Sequence, residues 1–198
     1  MGAGPQLLLC SASPRRRDLL AQLGLSFEVR PAHLDESRRP GEAPRELAGR
    51  LAREKALAGL RGARQGAVAL AADTVVAIGE EDFGKPADRA DAARMLRALS
   101  GRTHTVMTGV CAASAAAQRS VVVATEVRFV PLDAAQVDWL DASGDGDDKA
   151  GAYAVQGLAG AFIDRLEGSF TNVVGLPVAE TIALLRELGV RLPWERGP

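Results

Sequence analysis

The sequence predicts an α/β fold: a mixed central sheet flanked by helices, with two lobes around a central cleft. Three observations support this. Apolar runs of strand length alternate with segments of helical period along nearly the whole chain. Clusters of Gly, Pro, Ser and Asp punctuate the boundaries between them. The fourth and fifth strands are separated only by Ala115-Ala-Ala-Gln-Arg119, too short for a helical crossover, so that pair is antiparallel and the sheet is mixed.

Strands are predicted near residues 6–11, 26–30, 67–78, 103–114, 120–130 and 161–166, and helices near 14–23, 43–60, 87–99, 133–142 and 177–188. The first helix opens after the apolar run ending at Cys10, with Ser13 as its N-cap and Pro14 at the first helical position. Helix 43–60 carries an apolar stripe of Leu47, Leu51 and Ala58, with Lys55 beside it. Asp88 is the expected cap of helix 87–99. Arg191 to Pro198 reads as a loose tail. No internal repeat is visible, and a chain of 198 residues suffices for one well-buried domain, or one with two lobes, over 1–198.

Composition excludes several functions. A net charge of −1 argues against a broad basic surface for nucleic acid. Two cysteines, Cys10 and Cys111, both in apolar runs, read as reduced core residues, and with only two histidines no zinc-type cluster is expected. No apolar stretch reaches membrane-spanning length, and Met1-Gly-Ala-Gly-Pro5 lacks the pattern of a secretory signal. A cytoplasmic protein is expected.

The chemistry concentrates in a few segments. In Ser11-Ala-Ser-Pro-Arg-Arg-Arg17 three arginines crowd the positive end of a helix dipole. A solvated cluster is the bland reading, but an anion held by backbone N–H groups, serine hydroxyls and guanidinium forks explains the arrangement better, with phosphate the obvious candidate. Of 24 basic residues only three are lysines, Lys55, Lys85 and Lys149. In so arginine-rich a chain these mark places that need a compact point charge. Lys55 either snorkels outward along its stem or enters a cleft, and the scarcity of lysine favours the cleft. Asp73 interrupts the buried run Val68–Ile78, where a carboxylate is costly unless paired or metal-bound. It is a catalytic candidate, the alternative being a strand-end aspartate bonded to a turn. Gly84-Lys-Pro86 holds Lys85 in a stiff loop, and Gln156 offers both a donor and an acceptor suited to a base edge. The acidic loop Asp141–Asp148 reads as a solvated turn rather than a cation site, and Asp35-Glu36, taken alone, as a solvated loop.

Seven segments in order carry a resemblance: Ser11–Arg16, Arg53–Ala56, Ala72–Thr74, Gly84–Pro86, Leu99–His104, Asp148–Tyr153 with Gln156-Gly157, and Val174–Pro177. Together they resemble the Maf family of nucleoside triphosphate pyrophosphatases, once described as septum-formation inhibitors. The resemblance implies an elongated α/β fold with a central cleft, and Mg²⁺-dependent (or Mn²⁺-dependent) cleavage of a nucleoside triphosphate to the monophosphate and pyrophosphate. It also allows a homodimer. By position, Asp73 resembles the catalytic aspartate, with Glu36 and Asp73 on the metal side. Ser11, Arg16, Lys55 and Lys85 resemble the groups around the triphosphate. Arg15, Thr74 and Gln156 resemble the positions that separate substrate classes, and match the subgroup acting on dTTP and UTP. Cys10 stands where alanine is usual and Ala154 where glycine is common. A nucleotide-binding regulator of cell division without turnover is the alternative function.

Overall fold

The computed structural model describes residues 5–195. Its seven strands are β1 (Leu7–Leu9), β2 (Glu28–Val29), β3 (Val68–Ile78), β4 (Glu81–Phe83), β5 (Thr103–Ala113), β6 (Gln118–Phe129) and β7 (Ile163–Glu167). The helices are α1 (Pro14–Gln22), α2 (Pro44–Leu60), α3 (Arg89–Leu99), α4 (Ala134–Ser143), α5 (Phe170–Val174) and α6 (Val178–Glu187). One mixed sheet runs in the order β2-β1-β3-β5-β6-β7, with β4 paired to β3 off that path. The β1 contacts to β2 and β3 are parallel, and every other pairing is antiparallel, including the expected β5–β6 hairpin.

The period-2 alternation of β3 sorts its side chains onto two faces. Ala69 and Ala71 pack with Cys10, Cys111, Ala52 and Ala56 under α2. Leu70 and Ala72 pack on the opposite face with Leu20 of α1 and Leu184 and Leu185 of α6. A second cluster on that same face, with Val76, Val106 and Phe129, joins α3 and α4 to the sheet. The two cysteines are buried free thiols.

Helix α2 can lie close to the sheet because its inner face is made of small residues, Ala48, Ala52, Ala56 and Gly59, all buried. A Cβ at Gly59 would meet the Cys10 sulfur at 2.0 Å. Lys55 belongs to this buried face, whereas Ala58 is only partly covered, so the inner stripe is rotated from the one expected and includes the lysine. The helix begins with Pro44 at its first position and the Glu46 carboxylate accepting from the Ala43 N–H at 3.1 Å.

Strand β3 is longer than its neighbours on one side. β1 pairs with residues 68–70 and β4 with residues 76–78. Among the described residues, 71–75 has no strand partner on that edge. β4 and α5 were not anticipated, since three and five residues are too few to show a period. The segment after α6 is better packed than a loose tail, because Val190 and Leu192 are buried against α1 and α6, and the Glu195 carboxylate accepts from the Leu192 N–H at 3.1 Å. Residues 196–198 and the start of the chain through Gly4 lie outside the described residues. No helix among those described is long and apolar enough to cross a membrane.

Candidate active site

A cavity of about 590 Å³ lies at the gap in the β3 edge, lined by Ser11 and Ser13 after β1, by Asp73 and Thr74 within β3, and by Lys85 after β4. Its size is in the range of small-molecule sites, about 300–1,000 Å³. Nine of the residues singled out by the sequence reach this one cavity, Ser11, Arg15, Arg16, Glu36, Lys55, Asp73, Thr74, Lys85 and Gln156, whereas Arg17 of the arginine cluster is exposed outside it beside Asp18. Segments up to 145 residues apart thus meet because the carboxyl end of β1, the middle of β3 and the turn after β4 share one sheet edge.

Lys55 is buried and does not snorkel. Its Nζ lies 2.6 Å from Asp73 Oδ1 and 2.7 Å from Glu36 Oε1. The ammonium therefore holds two carboxylates that come from a strand and from the loop before α2. Burial raises the Asp73 carboxyl above its ordinary pKa, and Glu36 adds to that, while Lys55 and Arg16 pull it back down. Asp73 is neither a turn-capping aspartate nor a solvated one.

Arg16 lies on the other face of β3. Its Nε donates to the Gly175 carbonyl at 2.7 Å, Nη1 to Ser11 Oγ at 3.0 Å, and Nη2 to Thr74 Oγ1 at 3.1 Å. Gly175 ends α5 at φ +114°, a conformation that favours glycine, and this turn presents its carbonyl to Arg16. A guanidinium has five N–H groups, so two remain for an anion after these three bonds. Ser13 occupies the N-cap position but makes no side-chain cap bond; its N–H instead donates to Ser11 Oγ at 3.2 Å. The first turn of α1 is thus left uncapped by Ser13 where the serines meet the arginines.

Lys85 and Gln156 are exposed at the rim. Arg15 sits 3.9 Å from Asp148, which in turn lies 2.7 Å from the Lys149 Nζ. The acidic loop is a packed turn: Lys149 also bonds the Asp145 carbonyl, and Asp145 Oδ2 accepts from the Leu158 N–H at 3.1 Å. Lys149, noticed for its rarity but given no role, therefore braces the loop at the cavity wall.

Two further groups escaped sequence reasoning. Arg50, buried in α2, makes paired bonds to Glu42 at 2.6 and 2.8 Å and a third to the Ser37 carbonyl at 2.9 Å. This clamp fixes the loop that carries Glu36, and its strong hydrogen bonds hold Glu42 down at about 2. His104 is buried behind the cavity wall, its Nε2 2.8 Å from the Tyr153 hydroxyl. An arginine among 21 gives no signal of its own, and the Tyr153 contact exists only once β5 is folded against the 150–153 turn.

A mixed α/β sheet with guanidinium and ammonium groups around a buried carboxylate defines a class of protein suited to a polyphosphate. The family model described as Maf-like protein matches residues 6–188, and the chain belongs to that family. It is 55% identical over 196 residues to the dTTP/UTP pyrophosphatase of Anaeromyxobacter dehalogenans, covering 97% of this chain and 98% of that one. It is 51% identical over 188 residues to the dTTP/UTP pyrophosphatase of Myxococcus xanthus, covering 95% of each chain. Among solved structures, the Staphylococcus aureus Ham1 protein aligns over 92% of this chain and 99% of that one, with a TM-score of 0.53 at 11% identity, a likeness of fold alone.

Proposed function

We propose that this chain hydrolyses dTTP and UTP, cleaving the α–β phosphoanhydride with one water to yield the nucleoside monophosphate and pyrophosphate. The observation that carries the reading is the Lys55 ammonium held between Asp73 and Glu36, within a cavity also lined by Arg16 and Lys85. Curated relatives named dTTP/UTP pyrophosphatase, similar over nearly the full chain, support the substrate. The whole of 1–198 acts as one domain, and the two apolar clusters on one face of the sheet form two lobes around the cleft.

A triphosphate carries close to four negative charges, so its binding needs several cations and few anions nearby. Arg16, through its two unspent N–H groups, Lys55 and Lys85 supply the positive charge, and the Ser11 hydroxyl adds a neutral hydrogen-bonding group. Asp73, raised by burial, orients the attacking water and accepts its proton. Lys55 fixes the rotamer of that carboxylate and adds positive charge beside it. Arg15, Thr74 and Gln156 read the base.

Asp73 and Glu36 meet at a single cation and leave cavity space beside them, a donor set that fits Mg²⁺, which takes one or two carboxylates and fills its shell with water and phosphate oxygens. Mn²⁺ accepts the same ligands. When bound, the metal supplies charge neutralisation to the phosphate oxygens as the anhydride breaks. A cytoplasmic enzyme and a homodimeric assembly complete the proposal.

Pyrophosphate and orthophosphate release measured across dTTP, UTP, CTP, dATP and GTP, with and without Mg²⁺, tests the proposal. Metal-dependent pyrophosphate release, fastest for dTTP and UTP, is the expected result. Equal rates on dATP or GTP would refute the base assignment. Nucleotide binding with no release would favour the regulatory alternative.

A further inference from the structure

Thr74 and Thr108 are register partners across the β3–β5 ladder, and their Oγ1 atoms lie 3.0 Å apart. Arg16 Nη2 lies 3.1 Å from Thr74 Oγ1 on one side, and Thr108 Oγ1 lies 3.0 Å from the Asn172 carbonyl on the other. Proton inventory gives this chain one direction. A guanidinium only donates and a carbonyl only accepts, and each hydroxyl has a single hydrogen. Thr108 spends its hydrogen on Asn172, so it accepts from Thr74. Thr74 spends its hydrogen on Thr108 and one lone pair on Arg16. What Thr74 has left is a lone pair.

We propose that this relay makes Thr74 an obligate acceptor toward the bound base, and that buried Thr108 is the residue that enforces it. Uracil and thymine present an N3–H to such a group, whereas cytosine presents a lone pair at N3. The relay thus selects the first two and rejects the third, because two lone pairs facing each other leave both unpaired. The inference rests on the proposed reading that Thr74 faces the base. Thr74 lines the cavity, while Thr108 is fully buried behind it and acts as a positioning residue. Its anchor is rigid: the Asn172 amide donates to the Val106 carbonyl and to Thr125 Oγ1, each at 3.0 Å. The Asn172 carbonyl also accepts from the Gly175 N–H at 2.9 Å, so it keeps a partner when Thr108 is replaced.

The experiment compares kcat/KM for UTP and CTP in the full-length protein with those of Thr108→Val, Thr108→Ser and Thr108→Ala. With valine the Thr74 hydroxyl is free to turn and donate into the cavity. The UTP-over-CTP preference then falls about five- to tenfold, the size of one ordinary hydrogen bond. Alanine acts the same way should valine disturb folding, and serine, which restores the hydroxyl, restores the preference. A selective parent whose preference is unchanged in both hydroxyl-free variants overturns the relay, as does an equal loss on both nucleotides, which would mark a role in holding Arg16 alone. A parent that does not distinguish UTP from CTP overturns the base reading, and the relay with it.

Discussion

Asp73 of β3 and Gly109 of β5 are direct register partners, on the face of the sheet that α2 covers. A Cβ at 109 would stand 2.2 Å from the Ala48 carbonyl oxygen and 2.9 Å from the Gly49 nitrogen. The missing side chain opposite the carboxylate is therefore what lets the helix backbone approach, and that approach carries Lys55 to within 2.6 Å of Asp73. Gly109→Ala has to push α2 outward. The expected cost is about 2 kcal/mol or more in stability, and about a hundredfold in UTP turnover for a displacement near 1 Å. Urea unfolding alongside pyrophosphate release checks both, and parental values in the two assays would contradict the packing argument.

Replacing the carboxylate separates chemistry from folding. Asp73→Asn is expected to lose about 10²–10⁴-fold in kcat, the usual contribution of a general base. A buried carboxylate with a raised pKa binds its proton more tightly folded than unfolded, so its charge at pH 7 costs stability. The amide variant should accordingly unfold no earlier than the parent. Retention of more than about a third of parental turnover would remove Asp73 from the role of base.

Glu36 stands half-exposed on the loop that Arg50 clamps, and its assignment to the metal side makes a separate forecast. Glu36→Gln should raise the Mg²⁺ concentration for half-maximal turnover by about tenfold or more, with a smaller change in kcat at saturating metal. An unaltered Mg²⁺ titration would leave Glu36 a partner of Lys55 and nothing else.

His104 predicts an acid-sensitive stability. Burial lowers its pKa to about 4, with Phe129 stacked on one side and Tyr153 edge-on at the other. Between the unfolded value near 6.5 and about 4 the unfolded chain takes up a proton that the folded chain does not, so stability falls as pH falls through this window. The loss attributable to the histidine approaches about 3 kcal/mol at the low end. Subtracting the unfolding free energy of His104→Gln from that of the parent, point by point between pH 7 and 4.5, isolates this contribution from those of the carboxylates. A difference that does not vary with pH would show that the histidine titrates normally.

Much of this arrangement is legible in the sequence. The Pro14 start of α1, the long buried run of β3 with one carboxylate in it, and the scarcity of lysine all follow from local chemistry, and each led to a residue that lines the cavity. The Asp88 cap is also present, accepting from the Asp91 N–H at 2.8 Å. Ser13 sits at the N-cap as expected yet makes no side-chain cap bond, and it is its backbone N–H that donates to Ser11 Oγ. β4 escaped notice because Glu81 and Asp82 have no apolar alternation. It becomes a strand only by pairing with the end of β3.

Sequence alone determined the α/β class, the phosphate-suited start of α1 and the unusual carboxylate of β3, because helix starts, strand periodicity and the cost of a buried charge are local properties of a chain. Tertiary structure decided the partners: that Lys55 turns inward onto Asp73 and Glu36, that Arg50 holds the Glu36 loop, and that Arg16, Thr74, Thr108 and Asn172 form one directed chain of hydrogen bonds. Those contacts join residues brought together by sheet register and close helix packing, and a hydrogen bond acquires its direction only when every donor and acceptor around it is in place.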